Sequence, residues 1–112
     1  MPDTIFGRIA RGELAADVVY EDDRALAFRD KNPQAPVHLL VIPRKPIAAL
    51  SDAGEDDAEL LGHLCLVATR VAREAGLEHF RVVVNDGAGV GQSVFHLHLH
   101  VLGGRRMGWP PG

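Results

Sequence analysis

Two periodicities alternate along the chain. Ile5, Phe6 and Ile9 fall on one side of a 3.6-residue repeat, which predicts a short helix over Thr4–Arg11. Asp3 or Thr4 offers its N-cap oxygen, and Gly12 ends it. Asp17–Glu21 and Ala25–Arg29 read as short strands around an Asp22-Asp23 turn. Asn32-Pro33 and Ala35-Pro36 then interrupt, because a residue before proline is driven out of the α region. Val37–Ile42 is an apolar strand closed by Pro43 and Pro46. Leu60, Leu61, Leu64, Val67, Ala68, Val71 and Ala75 mark the stripe of a long helix over Glu55–Ala75. Its acidic start, its late Arg70 and Arg73, and Gly76 as a cap suit the helix dipole and the exit of the chain. Gly62 inside it costs about 1 kcal/mol relative to alanine, which packing must offset. Phe80–Asn85 is a further strand, Asp86–Ser93 a glycine-rich loop, and Val94–Leu102 the last strand. The order is helix, three strands, helix, two strands. With two-residue turns between neighbouring strands, that predicts an α+β fold with helices on an antiparallel sheet.

Composition narrows what such a fold does. One domain spanning residues 1–112 accounts for the length, and nearly half the residues are apolar, enough for a core. Twelve basic against fifteen acidic residues leave a charge of −3, which argues against a broad nucleic-acid surface and leaves room for a pocket that takes one phosphate. No apolar run approaches the length of a membrane span. The lone Cys65 has no partner within the chain and fits a reducing compartment, so a cytoplasmic setting is expected. Cys65 reads as a small buried apolar residue, and His63 and His79 as surface and loop positions.

Chemistry concentrates in one segment. In a strand, alternation would place Phe95, Leu97, Leu99 and Val101 on one face and His96, His98 and His100 on the other, with imidazoles about 6.5–7 Å apart. Three readings compete. The face is merely exposed and histidine-rich. Or it holds zinc, with His38 completing the ligand set. Or one neutral ring attacks phosphorus while its neighbours hold the phosphoryl oxygens, which needs no metal. The third uses all three rings and is preferred. The Gly87–Ser93 loop matches neither the dinucleotide fingerprint nor a P-loop, since position 92 is glutamine and a strand follows. Its free backbone N–H groups and Ser93 nonetheless precede the histidines directly. Taken alone, Asp30 reads as a turn residue and His38 as a satisfied core histidine.

The run His96-Leu97-His98-Leu99-His100-Val101-Leu102 resembles the motif of the histidine triad (HIT) family. The likeness extends over Asp3–Ile9, Glu21–Phe28, Pro33–Pro43, Val82–Gly87, Gly91–Gly104 and the ending Trp109–Gly112, which are similar to the HINT branch, the histidine triad nucleotide-binding proteins. That resemblance implies a HIT-like fold: a five-stranded antiparallel sheet with one long and one short helix, continued across a homodimer. It implies hydrolysis of purine nucleoside 5′-phosphoramidates with no required cofactor. His98 would be the nucleophile and become transiently nucleotidylated. His96 would orient it through the main chain, His100 would contact phosphate oxygens, and His38 would extend the relay. Asp30 would take the ribose hydroxyls, and Ile5, Phe6, Ile9, Phe28 and Leu40 the purine. Asn85, Gly91, Gln92 and Ser93 would hold the phosphate and leaving group. Trp109, in a tail (103–112) docked at the dimer interface, would reach the partner's site. Lys31, Gly108 and Ala88–Val90 depart from the HINT pattern. Alternatives are a dinucleoside polyphosphate hydrolase, a nucleotidyl transferase, or a nucleotide-binding or interaction protein.

Overall fold

The computed structural model describes residues 3–112. Thr4 begins the first helix, α1 (Ile5–Ala10), by accepting a 2.9 Å hydrogen bond at Oγ1 from the Gly7 N–H, so Thr4 is the cap. Strands β1 (Val18–Glu21), β2 (Ala25–Arg29) and β3 (Val37–Pro43) follow, the first two joined by a turn in which Asp22 Oδ1 accepts from the Arg24 and Ala25 N–H groups. Helix α2 (Ala58–Glu74), β4 (Phe80–Val83) and β5 (Leu99–Gly103) complete the fold. The strands form one antiparallel sheet in the order β1-β2-β3-β5-β4. The α+β architecture expected from the sequence, with one main helix on a five-stranded antiparallel sheet, is the one found.

Several boundaries differ from expectation, each for a physical reason. The acidic residues 55–57 form a separate 3₁₀ turn, and α2 starts after it. Asp57 Oδ2 accepts from the Gly54 N–H and Oδ1 from Lys45, an arrangement a continuous α-turn would not need. The far end of α2 closes with Gly76 at φ +85°: Gly76 N–H reaches Arg73 O at 2.9 Å and Leu77 N–H reaches Ala72 O at 3.0 Å. This paired motif satisfies the orphan carbonyls. Ala72 rather than Ala75 extends the buried stripe, and Ala75 is exposed as the cap. Cys65 is likewise exposed rather than in the stripe. His63 is more buried than a surface position, its Nε2 lying 2.6 Å from Asp22 Oδ2.

The largest correction concerns the last strand. Regular pairing begins only at Leu99, not Val94. β3 ends at Pro43, and Pro46 follows, so no run of main-chain donors continues there for residues 94–98 to join. Leu97 N–H instead finds Ile47 O at 2.6 Å, beyond the strand's end. Phe95, which alternation would group with Leu97, Leu99 and Val101, is 47% exposed while those three are buried. β4 also ends early, at Val83 rather than Asn85.

The sheet has two buried faces. Ala25, Ala27, Leu39, Val41, Leu99 and Val101 point to α2 and pack on Leu64, Val67, Ala68 and Val71. Leu26, Phe28, Leu40 and Ile42 point the other way, beneath Ile9 and Ala10 of α1. Register aligns Phe28 with Leu40 and Leu40 with His100, so one row on the α1 face runs from apolar to imidazole. His38 shares that face by alternation along β3.

Candidate active site

An 860 Å³ cleft opens over this row. Ile5, Phe6, Ile9, Phe28 and Leu40 line its apolar end, and Asp30, His38, His98, His100 and Ser93 its polar end. Phe6 joins the two ends. Its ring stands edge-on to Phe28, with centroids 5.4 Å apart, and to His98, with centroids 4.9 Å apart.

The histidines do not form a simple ladder on one strand face, because His96 and His98 precede β5. The His98 and His100 ring centroids are 5.0 Å apart, closer than a strand repeat would bring them. His96 turns inward and is buried, with Nε2 2.7 Å from the Pro43 carbonyl. It does not line the cleft. Its main chain does the positioning: the His96 carbonyl lies 2.8 Å from His98 Nδ1. A carbonyl only accepts, so neutral His98 carries its proton on Nδ1 and keeps a lone pair on Nε2. Gly7 of α1 packs on the other nitrogen of His96; a Cβ there would sit 3.7 Å from His96 Nδ1.

His38 and His100 form a second pair, with His38 Nε2 2.9 Å from His100 Nδ1. The Gln34 N–H donates to His38 Nδ1 at 3.0 Å. A main-chain N–H only donates, so His38 Nδ1 accepts, its Nε2–H donates to His100 Nδ1, and His100 carries its own proton on Nε2. On the three rings that line the cleft, the nitrogens not engaged within the protein are therefore a lone pair on His98 and an N–H on His100, one an acceptor and nucleophile and the other a donor. Asp30 serves two purposes. Oδ1 accepts from the Asn32 N–H at 2.8 Å, making the turn, while Oδ2 lies 3.3 Å from His38 Nε2.

Burial keeps all four rings neutral. It lowers His98 against the opposing pull of the His96 carbonyl and Asp30. It lowers His96 and His38 likewise, and it drives His100 down to about 4 with help from neighbouring His98 and His38. Asp30, His38 and His100 also offer three ligand atoms within 4.8 Å of one another. The hydrogen bond at His38 Nδ1 opposes a metal there. An ion on Nε2 would leave a neutral ring protonated on Nδ1, directly against the Gln34 N–H.

Four residues expected near the phosphate or leaving group, or reaching a partner's site, do not line the cleft. Gln92 is buried and occupied: Oε1 accepts from the Gly87 N–H at 2.9 Å, and Nε2 donates to the Ala48 and Val94 carbonyls. Its amide braces the glycine loop, with oxygen and nitrogen both bonded to main chain. Gly91 takes φ +102° beside the Asn85 amide, 3.8 Å from where a Cβ would stand. Trp109 is 82% exposed, with the Arg81 guanidinium 5.9 Å from its ring centre. Conversely, sequence reasoning missed Leu14 and Ala16 in the apolar wall, the Arg29–Asp17 ion pair (3.1 Å) at the rim, and Gln34. Leu14 and Ala16 alternate just before β1, a pattern too short to register. Gln34 acts through its main chain, for which side-chain identity carries no signal.

Comparison with known proteins shows the family. The HIT domain model matches residues 11–107. An uncharacterised HIT-like protein of Synechocystis sp. is 60% identical over 111 residues, covering 98% of this chain and 97% of that one. The crystal structure of a HIT family hydrolase from Legionella pneumophila superposes with a TM-score of 0.95 at 51% identity, over 98% of this chain and all of that one. A histidine triad protein from Clostridium difficile gives 0.91 at 43% identity, over 96% of each chain. The chain belongs to the HIT domain family.

Proposed function

We propose that the protein is a nucleoside phosphoramidase of the HINT branch, cleaving purine nucleoside 5′-phosphoramidates. The observation that carries this reading is that the free lone pair of His98 opens into the same cleft as an apolar wall and a carboxylate. The cleft volume lies within the range of about 300–1,000 Å³ common for small-molecule sites. The wall suits a purine, and Asp30 Oδ2 suits a vicinal diol. In the first step, His98 Nε2 attacks the α-phosphorus. A P–Nε2 bond forms as the bond to the amine breaks, and the amine departs with a proton taken from water, which the water that attacks in the second step gives back. His100 Nε2–H and the Ser93 hydroxyl donate to the phosphoryl oxygens as charge develops. Water then displaces His98, giving the nucleoside monophosphate and restoring the neutral ring. No metal is required. The Legionella relative and another from Clostridium thermocellum are each described as a HIT family hydrolase, which supports hydrolysis as the outcome.

The reading includes a homodimer. β4 is one of the sheet's two edge strands, and Val82 on it and the nearby Trp109 are exposed apolar groups. A second copy pairing at β4 would continue the sheet and cover them. Incubation with adenosine 5′-phosphoramidate and with diadenosine polyphosphates, each with and without chelator, tests the assignment. Phosphoramidate cleavage that survives chelation and falls roughly 10³-fold or more in His98→Ala is expected. Preferential cleavage of the polyphosphates would shift the assignment to that hydrolase class. Activity lost with chelator would restore a metal mechanism, and cleavage of neither substrate would leave a binding protein.

A further inference from the structure

The loop between β2 and β3 and the segment after β5 meet at one place. Gly104, at φ +92°, lies so close to the loop that a Cβ would come within 2.9 Å of Pro36 Cβ. The next residue, Arg105, donates from Nη2 to the Gln34 carbonyl at 3.1 Å. Gln34 in turn donates from its side-chain amide to the Asn32 carbonyl at 3.0 Å, while its main-chain N–H meets His38 Nδ1. The Gln34 peptide is thus tied on both sides, by a tail residue and by its own loop.

We propose that the Gln34 main-chain N–H, held by Gly104 and Arg105, is a positioning group that sets the tautomers of His38 and His100 for phosphoryl transfer. The role of His100 rests on the reading given above; the tautomers do not. A bond between two neutral imidazoles is indifferent to direction, since donor and acceptor can exchange and the 2.9 Å contact survives. Exchange would turn a lone pair of His100, instead of an N–H, toward the phosphoryl oxygens, converting a donor into a repulsive group. Two neighbours break the tie. Asp30 Oδ2, 3.3 Å from His38 Nε2, favours the proton on that atom. The Gln34 N–H, at shorter range and on the opposite side of the ring, disfavours the alternative outright. His98 does not choose between them: its Nδ1 is committed to the His96 carbonyl, and its ring stands edge-on to His100 with no hydrogen bond between the two.

Nitrogen NMR of ¹⁵N-histidine-labelled, ligand-free protein at pH 7.5 reads this directly. His38 should be protonated on Nε2 and bare on Nδ1, with His100 the same. Gln34→Pro deletes the N–H, and Arg105→Ala frees the carbonyl; melting curves establish that each variant is folded. Gln34→Pro should bring the second tautomer of both rings into view and lower kcat about 10-fold or more with KM within about twofold. Arg105→Ala should shift the same signals part of the way, with a 2- to 5-fold loss of kcat, on the order of one weakened hydrogen bond. A wild-type His38 protonated on Nδ1 overturns the proposal, as do unchanged tautomers in folded Gln34→Pro. If Gln34→Pro does not fold, Arg105→Ala decides, and unchanged tautomers there overturn it. The spectra need no substrate. Tautomers that respond as expected in a protein that cleaves no phosphoramidate would sink the functional reading and leave the positioning role standing.

Discussion

At the scale of single residues, the site works by exhausting alternatives. Each imidazole has two nitrogens, and the protein engages one on His98, one on His100 and both on His38, leaving each nitrogen that opens to the cleft a defined role. The carboxylate at the mouth can be tested separately. Asp30→Asn keeps the turn bond to the Asn32 N–H but replaces an acceptor with an amide. It should raise KM for the phosphoramidate roughly 10-fold, about the worth of one charge-assisted hydrogen bond, with a smaller change in kcat; steady-state kinetics measures the split. Gln92 makes the opposite case. Its three hydrogen bonds are all to main chain, so Gln92→Ala should lower stability by about 1–3 kcal/mol in denaturant titration. A KM change without that loss would instead mean that the side chain reaches the ligand. The motif pointed to His98 and His100, which line the cleft. It did not show their division of labour, because that depends on carbonyls and N–H groups that arrive from Pro43, His96 and Gln34.

Elements were legible where a period was long and obscure where the chain turned. The α2 stripe at Leu64, Val67, Ala68 and Val71 was plain, because seventeen residues repeat it. Its ends were not, because a 3₁₀ turn and a positive-φ glycine are local bargains between main-chain groups. Alternation over 94–102 pointed to one long strand. Only half of it pairs, since proline ends the neighbouring strand first. The cap on α2 yields a quantitative expectation. Gly76→Ala forces a Cβ into φ +85° with no clash to relieve, and should cost about 1 kcal/mol in thermal or chemical unfolding, with the fold intact. Loss of the fold would mean that the helix end is more than a cap.

Across the whole molecule, the buried histidines couple the site to acid stability. Their folded values lie below the ordinary 6.5, so the unfolded chain binds protons first as pH falls. The stability is complete above 6.5 and is lost as pH drops through the folded values, down to about 4 for His100. His100, the most shifted of the four, contributes the largest share of that loss. Denaturant midpoints should therefore decline between pH 6.5 and 4, before the carboxylates of Asp22 and Asp57, both held below their ordinary range, begin to contribute. A flat profile over that window would show that the rings are solvated. The acid limb of the free enzyme's activity should likewise fall below 6.5, where His98 Nε2 takes up a proton.

The unequal covering of the two sheet faces has a consequence for motion. Seventeen residues of α2 lie on one face, but α1, over the cleft, is a single six-residue segment whose anchors are Ile9, Ala10 and the ring of Phe6. Openings of such a small unit need far less free energy than global unfolding, so its amides should exchange with deuterium long before those of α2. A nucleotide seated in the cleft against Phe6 and Phe28 would close that route. Exchange at Gly7–Arg11 should slow markedly on adding a nucleoside monophosphate while Leu64–Val71 stays unchanged, so that the first helix behaves as a hinged cover whose lifetime sets how long a product remains bound.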